Sequence, residues 1–255
     1  MNVVVTGSDG FIGHELVKKL LSEHNQVTEI DKKKGSNALY IEGLVDWSQN
    51  IDCVYHLAAQ TSVFNDKTFL ILEDNMRTFM SVIESCNKHK VKLVYASSST
   101  ANLCNITSMY GISKAFDEMY ANIYSYNATG IRFHNVYGKD SRNDTLLGIL
   151  KTNKTVKLYN NGNNYRHFTY VGDIVDGIIK STSINSKLVN CYNPEINSVL
   201  EFTKQANKYL NFKYELVNEK RSFDKTEQKV DTSIPSIEID YKNIEENSIE
   251  KFIFQ

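Results

Sequence analysis

The sequence lacks a charge excess of either sign and has no long apolar run. Its 255 residues include 29 Lys and Arg against 30 Asp and Glu, which gives a net charge of −1. Because nucleic-acid phosphates favour proteins with a basic surplus, we expect no nucleic-acid partner. A membrane-spanning helix needs a run of roughly 18 or more apolar residues, and none is present, so we expect no membrane span. The opening residues show no charged-then-apolar pattern, so no secretory signal is expected either.

Cysteine is also scarce, and its spacing excludes two kinds of site. The four cysteines are far apart and form no CxxC pair: Cys53, Cys86, Cys104 and Cys191. This pattern is typical of free thiols in a reducing compartment, which predicts a cytoplasmic location and no disulfide framework. The six histidines show no metal-ligand spacing, so we expect no metal.

The first half of the chain alternates β-branched runs with amphipathic stretches. Periodicity predicts strands at 2–5, 26–30, 52–57, 91–96 and 131–133, helices at 11–22, 68–88 and 113–126, and a short strand at 40–41. Strands that alternate with helices predict an α/β fold with a parallel sheet and right-handed crossovers. Beyond about residue 136 the alternation weakens, which indicates a smaller C-terminal lobe over the carboxyl edge of the sheet.

A glycine loop lies between the first predicted strand and helix. Gly7, Gly10 and Gly13 provide a tight turn, a close approach to a pyrophosphate at the helix amino end, and close packing of helix on strand. Asp31 ends the second predicted strand, 24 residues after Gly7. A carboxylate there can accept both ribose hydroxyls of NAD and repel a 2′-phosphate. The pattern predicts a Rossmann-like, doubly wound sheet that binds NAD, although the three lysines at 32–34 leave NADP open.

A tyrosine and a lysine share one face of the helix predicted after the fourth long strand. Tyr110 and Lys114 are one helical turn apart. A neighbouring ammonium favours the phenolate form of a tyrosine, which can then take a proton from a sugar hydroxyl. Ser99 ends a serine run at the carboxyl end of the 91–96 strand, where open α/β sheets place their chemistry. We therefore predict that Tyr110, Lys114 and a hydroxyl of this run are catalytic.

Seven ordered segments together resemble the extended short-chain dehydrogenase/reductase family, and within it the nucleotide-sugar epimerase/dehydratase branch. They are TGSDGFIG at 6–13, HLAA at 56–59, Asn75, SSS at 97–99, YGISK at 110–114, RFHNVYG at 132–138 and RHFTYVGD at 166–173. The match covers about residues 1 to 200 and is weaker afterwards. It implies an NAD-binding domain at 1–135, to which about 166–182 return, and a substrate-binding lobe at 136–165 and 183–255.

The resemblance also implies roles for individual residues. Ser99 matches the catalytic hydroxyl position of the family, and Tyr110 and Lys114 match its acid/base pair, so these three residues are expected to be catalytic. Those expected to bind the cofactor are Gly7, Gly10, Phe11, Ile12, Gly13, Asp31, Leu57, Ala58, Ala59, Asn75, Tyr110 and Lys114. Those expected to bind a nucleotide-diphosphate sugar are Ser99, Asn135, Leu158, Tyr159, Arg166 and Arg221. The helices at 68–88 and 113–126 resemble a pair that forms a dimer interface in the family, so a homodimer is expected.

Three departures from the family pattern bear on the site. Tyr110 follows Ser99 by only 11 residues, so we expect an altered rim over the sugar. The segment after Gly43 lacks the aspartate that normally contacts adenine. His167 stands where the family usually has aspartate, and we favour a packing role for it over a catalytic one.

The residues near Ser99 restrict the reaction. The 4,6-dehydratases of the family have an Asp-Glu pair where this chain has Thr100 and Ala101, which disfavours dehydration. Cys104 and His134 keep a 3,5-epimerising reductase open. The remaining groups favour a 4-epimerase that works through a transient 4-keto sugar with Tyr110 as acid and base. A 4-keto reductase, a hexuronic-acid decarboxylase and a non-catalytic dinucleotide-binding sensor or scaffold remain alternatives.

Overall fold

The computed structural model describes residues 1–61, 68–221, 224–242 and 244. In these residues the strands are β1 Asn2–Thr6, β2 Gln26–Ile30, β3 Cys53–His56, β4 Lys92–Ser98, β5 Ala128–Phe133, β6 Val136–Tyr137, β7 Thr155–Tyr159, β8 Tyr165–Arg166, β9 Thr169–Tyr170, β10 Leu188–Cys191, β11 Asn197–Ser198 and β12 Lys213–Val217. The α-helices are α1 Phe11–Ser22, α2 Ile41–Leu44, α3 Thr68–His89, α4 Met109–Tyr124, α5 Leu146–Thr152, α6 Val171–Lys180 and α7 Val199–Asn207.

Six of the strands form a parallel central sheet. Their order across the sheet is β10-β5-β4-β3-β1-β2, and each neighbouring pair is parallel. The chain therefore reverses its winding direction next to β1, as in a doubly wound sheet. The predicted α/β class with a parallel sheet is confirmed.

Alternating side chains of the buried strands supply two cores, one on each face of the sheet. Val3 and Val5 of β1 face a cluster with side chains of α1 and α6, whereas Val4 faces a cluster with side chains of α3 and α4. A strand alternates its side chains between faces, so one apolar run can serve both clusters. Burial of these apolar side chains stabilises the sandwich of helix, sheet and helix.

Apart from the central sheet, the described residues form a further apolar core and three short two-stranded sheets, which together are called the smaller lobe and include β9 at 169–170. β12 pairs in parallel with β7, β11 pairs antiparallel with β8, and β6 pairs in parallel with β9. Side chains from α5, α7 and β7 meet in a third apolar cluster that includes Leu150, Leu158 and Phe202. This cluster holds the lobe above the carboxyl ends of the central strands.

Two predictions from the sequence differ from the structure. Residues 40 and 41 lie in a 3₁₀ turn, Ala38–Tyr40, and in α2, so the predicted strand there is wrong. The Asn37 side chain accepts the Leu39 N–H and starts the turn. β10 pairs with β5 in the central sheet, although its residues fall in the range 183–255 that the sequence assigned to the second lobe.

Helix ends follow capping residues that the predicted bounds overlooked. α4 begins at Met109 because the Ser108 side chain accepts the Gly111 N–H.

Within the described residues, no helix is both long and apolar enough to cross a membrane.

Candidate active site

One cleft brings all the predicted cofactor and substrate residues together. It has a volume of about 1000 Å³ and extends along the carboxyl ends of the central strands, under the smaller lobe. Every residue predicted to bind the cofactor or the sugar nucleotide lines this cleft. The structure thus shows that they share one site, while their individual roles stay predictions.

The glycine loop forms a bare backbone cradle at one end of the cleft. Gly7 has φ +72°, and a Cβ there would lie 2.6 Å from the Ala58 nitrogen. A Cβ on Gly13 would overlap the Gly7 carbonyl oxygen. Gly10 caps the amino end of α1 without a side-chain hydrogen bond. Backbone N–H groups at a helix amino end attract anions, so this cradle fits the pyrophosphate of a dinucleotide.

Asp31 is fixed beside this loop at the end of β2. Its carboxylate accepts the Asp9 N–H at 3.0 Å and the Lys33 N–H at 2.9 Å. The lysines that follow are engaged with other groups, since Lys32 Nζ donates to Asp74 and Lys34 Nζ donates to Glu29. Two backbone N–H groups therefore orient the Asp31 carboxylate at this end of the cleft.

Asn75 of α3 lines the cleft, but its amide bonds other residues of the protein. Its Oδ1 accepts the Gln60 N–H at 2.7 Å, and its Nδ2 donates to the Gln60 carbonyl at 3.1 Å and to Ser113 Oγ at 3.0 Å. These bonds connect the segment after β3 to α4 at Ser113. Asn75 thus positions the wall of the cleft on which the predicted cofactor would lie.

The three predicted catalytic residues come from the end of β4 and the start of α4. Ser99 is buried in a 3₁₀ turn directly after β4. Tyr110 lies in the first turn of α4, and Lys114 lies one turn later. Lys114 Nζ donates to Asp117 Oδ2 at 2.9 Å. Burial opposes the charge of Lys114, but the neighbouring Asp117 carboxylate raises the pKa of its ammonium above the ordinary value.

An ion-pair network fixes α4 against β5 and the C-terminal segment. Arg132 of β5 binds Glu118 of α4 through two hydrogen bonds of 2.8 and 2.7 Å. Its third contact is Asp231 at 3.1 Å, and Ser97 donates to the same Glu118 carboxylate. A bidentate guanidinium–carboxylate pair has a defined geometry, so the network sets where α4 and the C-terminal segment meet.

Gln228 is a residue of the cleft that sequence reasoning missed. Its Oε1 accepts from Asn135 Nδ2 at 2.7 Å and from Ser99 Oγ at 3.5 Å. The backbone next to it is clamped by Asn105, whose Nδ2 donates to the carbonyls of Ser99 and Lys229. Gln228 is 129 residues from Ser99, so no local spacing could have identified it.

The far end of the cleft carries two arginines and an aromatic ring. The Arg221 guanidinium carbon lies 3.6 Å from the centroid of the Tyr159 ring. Arg166 is buried and forms an ion pair with Asp224, which also accepts from Asn164 Nδ2 at 2.6 Å. Cations beside an aromatic ring suit the diphosphate and base of a nucleotide.

Three residues considered for other reactions do not line the cleft. They are Cys104 and His134, which left a 3,5-epimerising reductase open, and His167, which stands at the family's aspartate position. Cys104 is exposed on the short rim after Ser99. Burial lowers the pKa of His134 to about 3. His167 Nδ1 bonds the Asn193 carbonyl at 2.9 Å, and its ring packs edge-on against Tyr192, which agrees with a packing role. In the described part of the chain, no group of three His, Cys, Asp or Glu side chains could hold a metal ion.

Comparison with known proteins decides the family. The model of the NAD dependent epimerase/dehydratase family matches residues 3–189. The chain belongs to this family. The predicted family is confirmed, and so is the predicted cofactor at the level of this NAD-dependent enzyme family.

Relatives within the family differ in their activities. Protein CapI of Staphylococcus aureus is 31% identical over 230 residues, which cover 70% of this chain and 68% of that protein. A UDP-N-acetyl-alpha-D-glucosaminuronate decarboxylase of Bacillus cytotoxicus is 24% identical over 246 residues, 78% of this chain and 77% of that enzyme. The structure of a Thermotoga maritima UDP-glucose 4-epimerase with UDP-glucose has a TM-score of 0.77 at 22% identity, and covers 91% of this chain and 90% of that one. This last likeness shows a shared fold.

Proposed function

We propose that the chain is an NAD-dependent nucleotide-sugar epimerase that inverts the sugar at C4. The observation that carries this proposal is the meeting of Ser99, Tyr110 and Lys114 in the cleft that also holds the glycine cradle. Such a set can move one proton and orient one oxygen. A 4-epimerase needs no further acid or base, because the transient 4-keto sugar turns over in the cleft and the hydride returns to the opposite face of C4.

The residues at the glycine end fit the cofactor. Gly7, Gly10 and Gly13 let the loop close tightly against its own backbone and, at Gly7, against the backbone after β3. The amino end of α1 then presents backbone N–H groups to a pyrophosphate. The Asp31 carboxylate, oriented by two backbone N–H groups, suits the two hydroxyls of an adenosine ribose. When bound, NAD supplies the acceptor and donor of hydride. The engagement of Lys32 and Lys34 with carboxylates supports NAD over NADP, since their charge is offset.

Tyr110 acts as the acid and base in this proposal. Tyr110, one helical turn from the Lys114 ammonium, takes the proton of the sugar 4-hydroxyl through its side-chain oxygen and later returns a proton to that sugar oxygen. The Ser99 hydroxyl donates a hydrogen bond to that oxygen and orients it. Lys114 also donates to the nicotinamide ribose.

The opposite end of the cleft binds the nucleotide diphosphate. Arg221 provides positive charge for the diphosphate, while Arg166, whose charge is offset by Asp224, and Asn135 add N–H donors. Leu158 and Tyr159 offer an apolar wall and a ring for the base. Gln228, which contacts both Ser99 and Asn135, lies between the two ends and meets the sugar.

The neighbours of Ser99 disfavour a dehydratase. Thr100 Oγ1 pairs with Ser98 Oγ at 2.8 Å, and Ala101 has no acid or base group. Cys104 and His134 lie outside the cleft lining, which also disfavours a 3,5-epimerising reductase. The Bacillus cytotoxicus relative keeps a hexuronic-acid decarboxylase as the second candidate. A 4-keto reductase uses the same groups, whereas a sensor or scaffold would not need Tyr110 and Lys114.

Product analysis tests the proposal. The purified chain is incubated with UDP-, GDP- and dTDP-hexoses and with UDP-glucuronic acid, and the products are resolved by chromatography and mass spectrometry. We expect an isomer of unchanged mass without added cofactor being consumed. A product lighter by carbon dioxide would instead support the decarboxylase, and one lighter by water would support a dehydratase.

Substitution of Tyr110 separates catalysis from folding. Tyr110→Phe should abolish turnover, because phenylalanine cannot exchange a proton, while NADH binding persists. Tyr124→Phe is the matched control, since Tyr124 is an exposed tyrosine of the same helix. Turnover by Tyr110→Phe at the unsubstituted rate would contradict the mechanism.

A further inference from the structure

Asp117 and Lys114 form a buried ion pair behind the cleft. Their side chains are 1% and 2% exposed, and Lys114 Nζ lies 2.9 Å from Asp117 Oδ2. Asp117 Oδ1 is buried and has no hydrogen-bond partner among the described residues. Lys114 lines the cleft, whereas Asp117 does not. The carboxylate therefore stands behind the ammonium, on the side away from the cleft.

Stability does not explain such a pair. Removing two charges from water costs several kcal/mol per ion, and apolar residues of similar volume are often as stable or more so. The unpartnered Oδ1 adds a further desolvation cost. Burial accordingly raises the pKa of Asp117 to about 6. The pair is costly to the fold and lies next to the predicted catalytic residues of α4. We therefore explain it by the effect of the Asp117 carboxylate on the Lys114 ammonium.

Other charged and titratable groups around the pair do not replace the carboxylate. Glu118, the next residue of α4, is bound by Arg132 of β5. Tyr95 of β4 is buried, and burial raises its pKa well above the ordinary value. His56 of β3 is also buried, and burial lowers its pKa to about 3, so the ring is neutral. Tyr110 faces Lys114 from the preceding turn, as the group that the ammonium would act upon.

We propose that Asp117 is a positioning residue that keeps the Lys114 ammonium charged and held at the floor of the cleft. This inference rests on the proposed function, because Lys114 acts there on Tyr110 and on the cofactor. Without the Asp117 carboxylate, burial dominates the pKa of Lys114 and favours its neutral amine. A neutral amine makes weaker hydrogen bonds to ribose hydroxyls than a charged ammonium does.

NADH binding across pH tests the role of Asp117 without any sugar substrate. The variant Asp117→Asn keeps the shape of the side chain and removes its charge. Its dissociation constant for NADH should rise about tenfold from about pH 5 to about pH 10 as Lys114 loses its proton, whereas that of the unsubstituted chain should change little. Asp117→Ser, which is smaller and equally neutral, carries the same expectation if the asparagine variant does not fold.

A second buried carboxylate gives the matched control. Asp173 is also 1% exposed and is paired with a lysine, Lys242, away from the cleft lining. Asp173→Asn should leave the pH dependence of NADH binding unchanged. An equal loss at every pH in Asp117→Asn, or no change, would overturn the proposal alone. Failure of the unsubstituted chain to bind NADH would overturn the proposed function and this inference with it.

Discussion

Asn105 clamps the short loop after Ser99 to the C-terminal segment, and its removal gives a measurable loss of stability. The side chain is 2% exposed. Its Nδ2 donates to the carbonyls of Ser99 at 3.0 Å and Lys229 at 2.8 Å, and its Oδ1 accepts the Lys229 N–H at 3.2 Å. Asn105→Ala deletes three hydrogen bonds and leaves three backbone groups without these partners.

The expected cost follows from those contacts. A hydrogen bond contributes about 1 kcal/mol net, and a buried group left unpaired costs about 1–3 kcal/mol. Partial rehydration reduces the sum, so we expect a loss of about 3 kcal/mol in the free energy of unfolding. At a urea m-value of about 3 kcal/mol per M, the unfolding midpoint should fall by about 1 M.

Two assays separate this effect from a general one. Urea unfolding followed by circular dichroism measures the stability, and limited trypsin digestion reports whether bonds after Lys225 and Lys229 become accessible. Asn122→Ala is a matched control, because its side chain lies at the surface and accepts from Lys187. A loss below about 1 kcal/mol with unchanged digestion would refute the role of the clamp.

Three further predictions concern the cofactor loop, the buried histidines and assembly. Gly7→Ala should weaken NADH binding at least tenfold, because φ +72° strains alanine and its Cβ would meet the backbone after β3; Gly43→Ala, where a Cβ meets nothing within 4 Å, should bind normally. Burial lowers the pKa values of His56 and His134 to about 3, so the unfolded chain binds more protons below pH 6.5. The free energy of unfolding should therefore fall as pH drops from 6.5 towards about 3, by about 1.4 kcal/mol per pH unit for each ring. In His134→Phe, urea unfolding should show a smaller decrease of this free energy per pH unit. Light scattering should give the mass of a dimer, and Met119→Lys, at a side chain 62% exposed on α4, should give a monomer; a monomeric unsubstituted chain would contradict the homodimer.

Local spacing predicted much of the cleft. Gly7 and Asp31 were identified because a strand, a turn and a second strand leave short-range patterns in the chain. Tyr110 and Lys114 were identified because one helical turn separates them. For such residues, the secondary structure alone places the side chains at the same sheet edge, so the sequence could predict that they meet.

The sequence by itself determined the alternating α/β pattern, the glycine cradle and the spacing of Tyr110 and Lys114 by one helical turn, since each depends on residues close together in the chain. Only the tertiary structure decided that β10 joins the central sheet, that Gln228 reaches Ser99, and that Asp117 is buried. The physical reason is that contacts between residues far apart in the chain, and the burial of a single charge, arise from packing and leave no periodic signal in the chain.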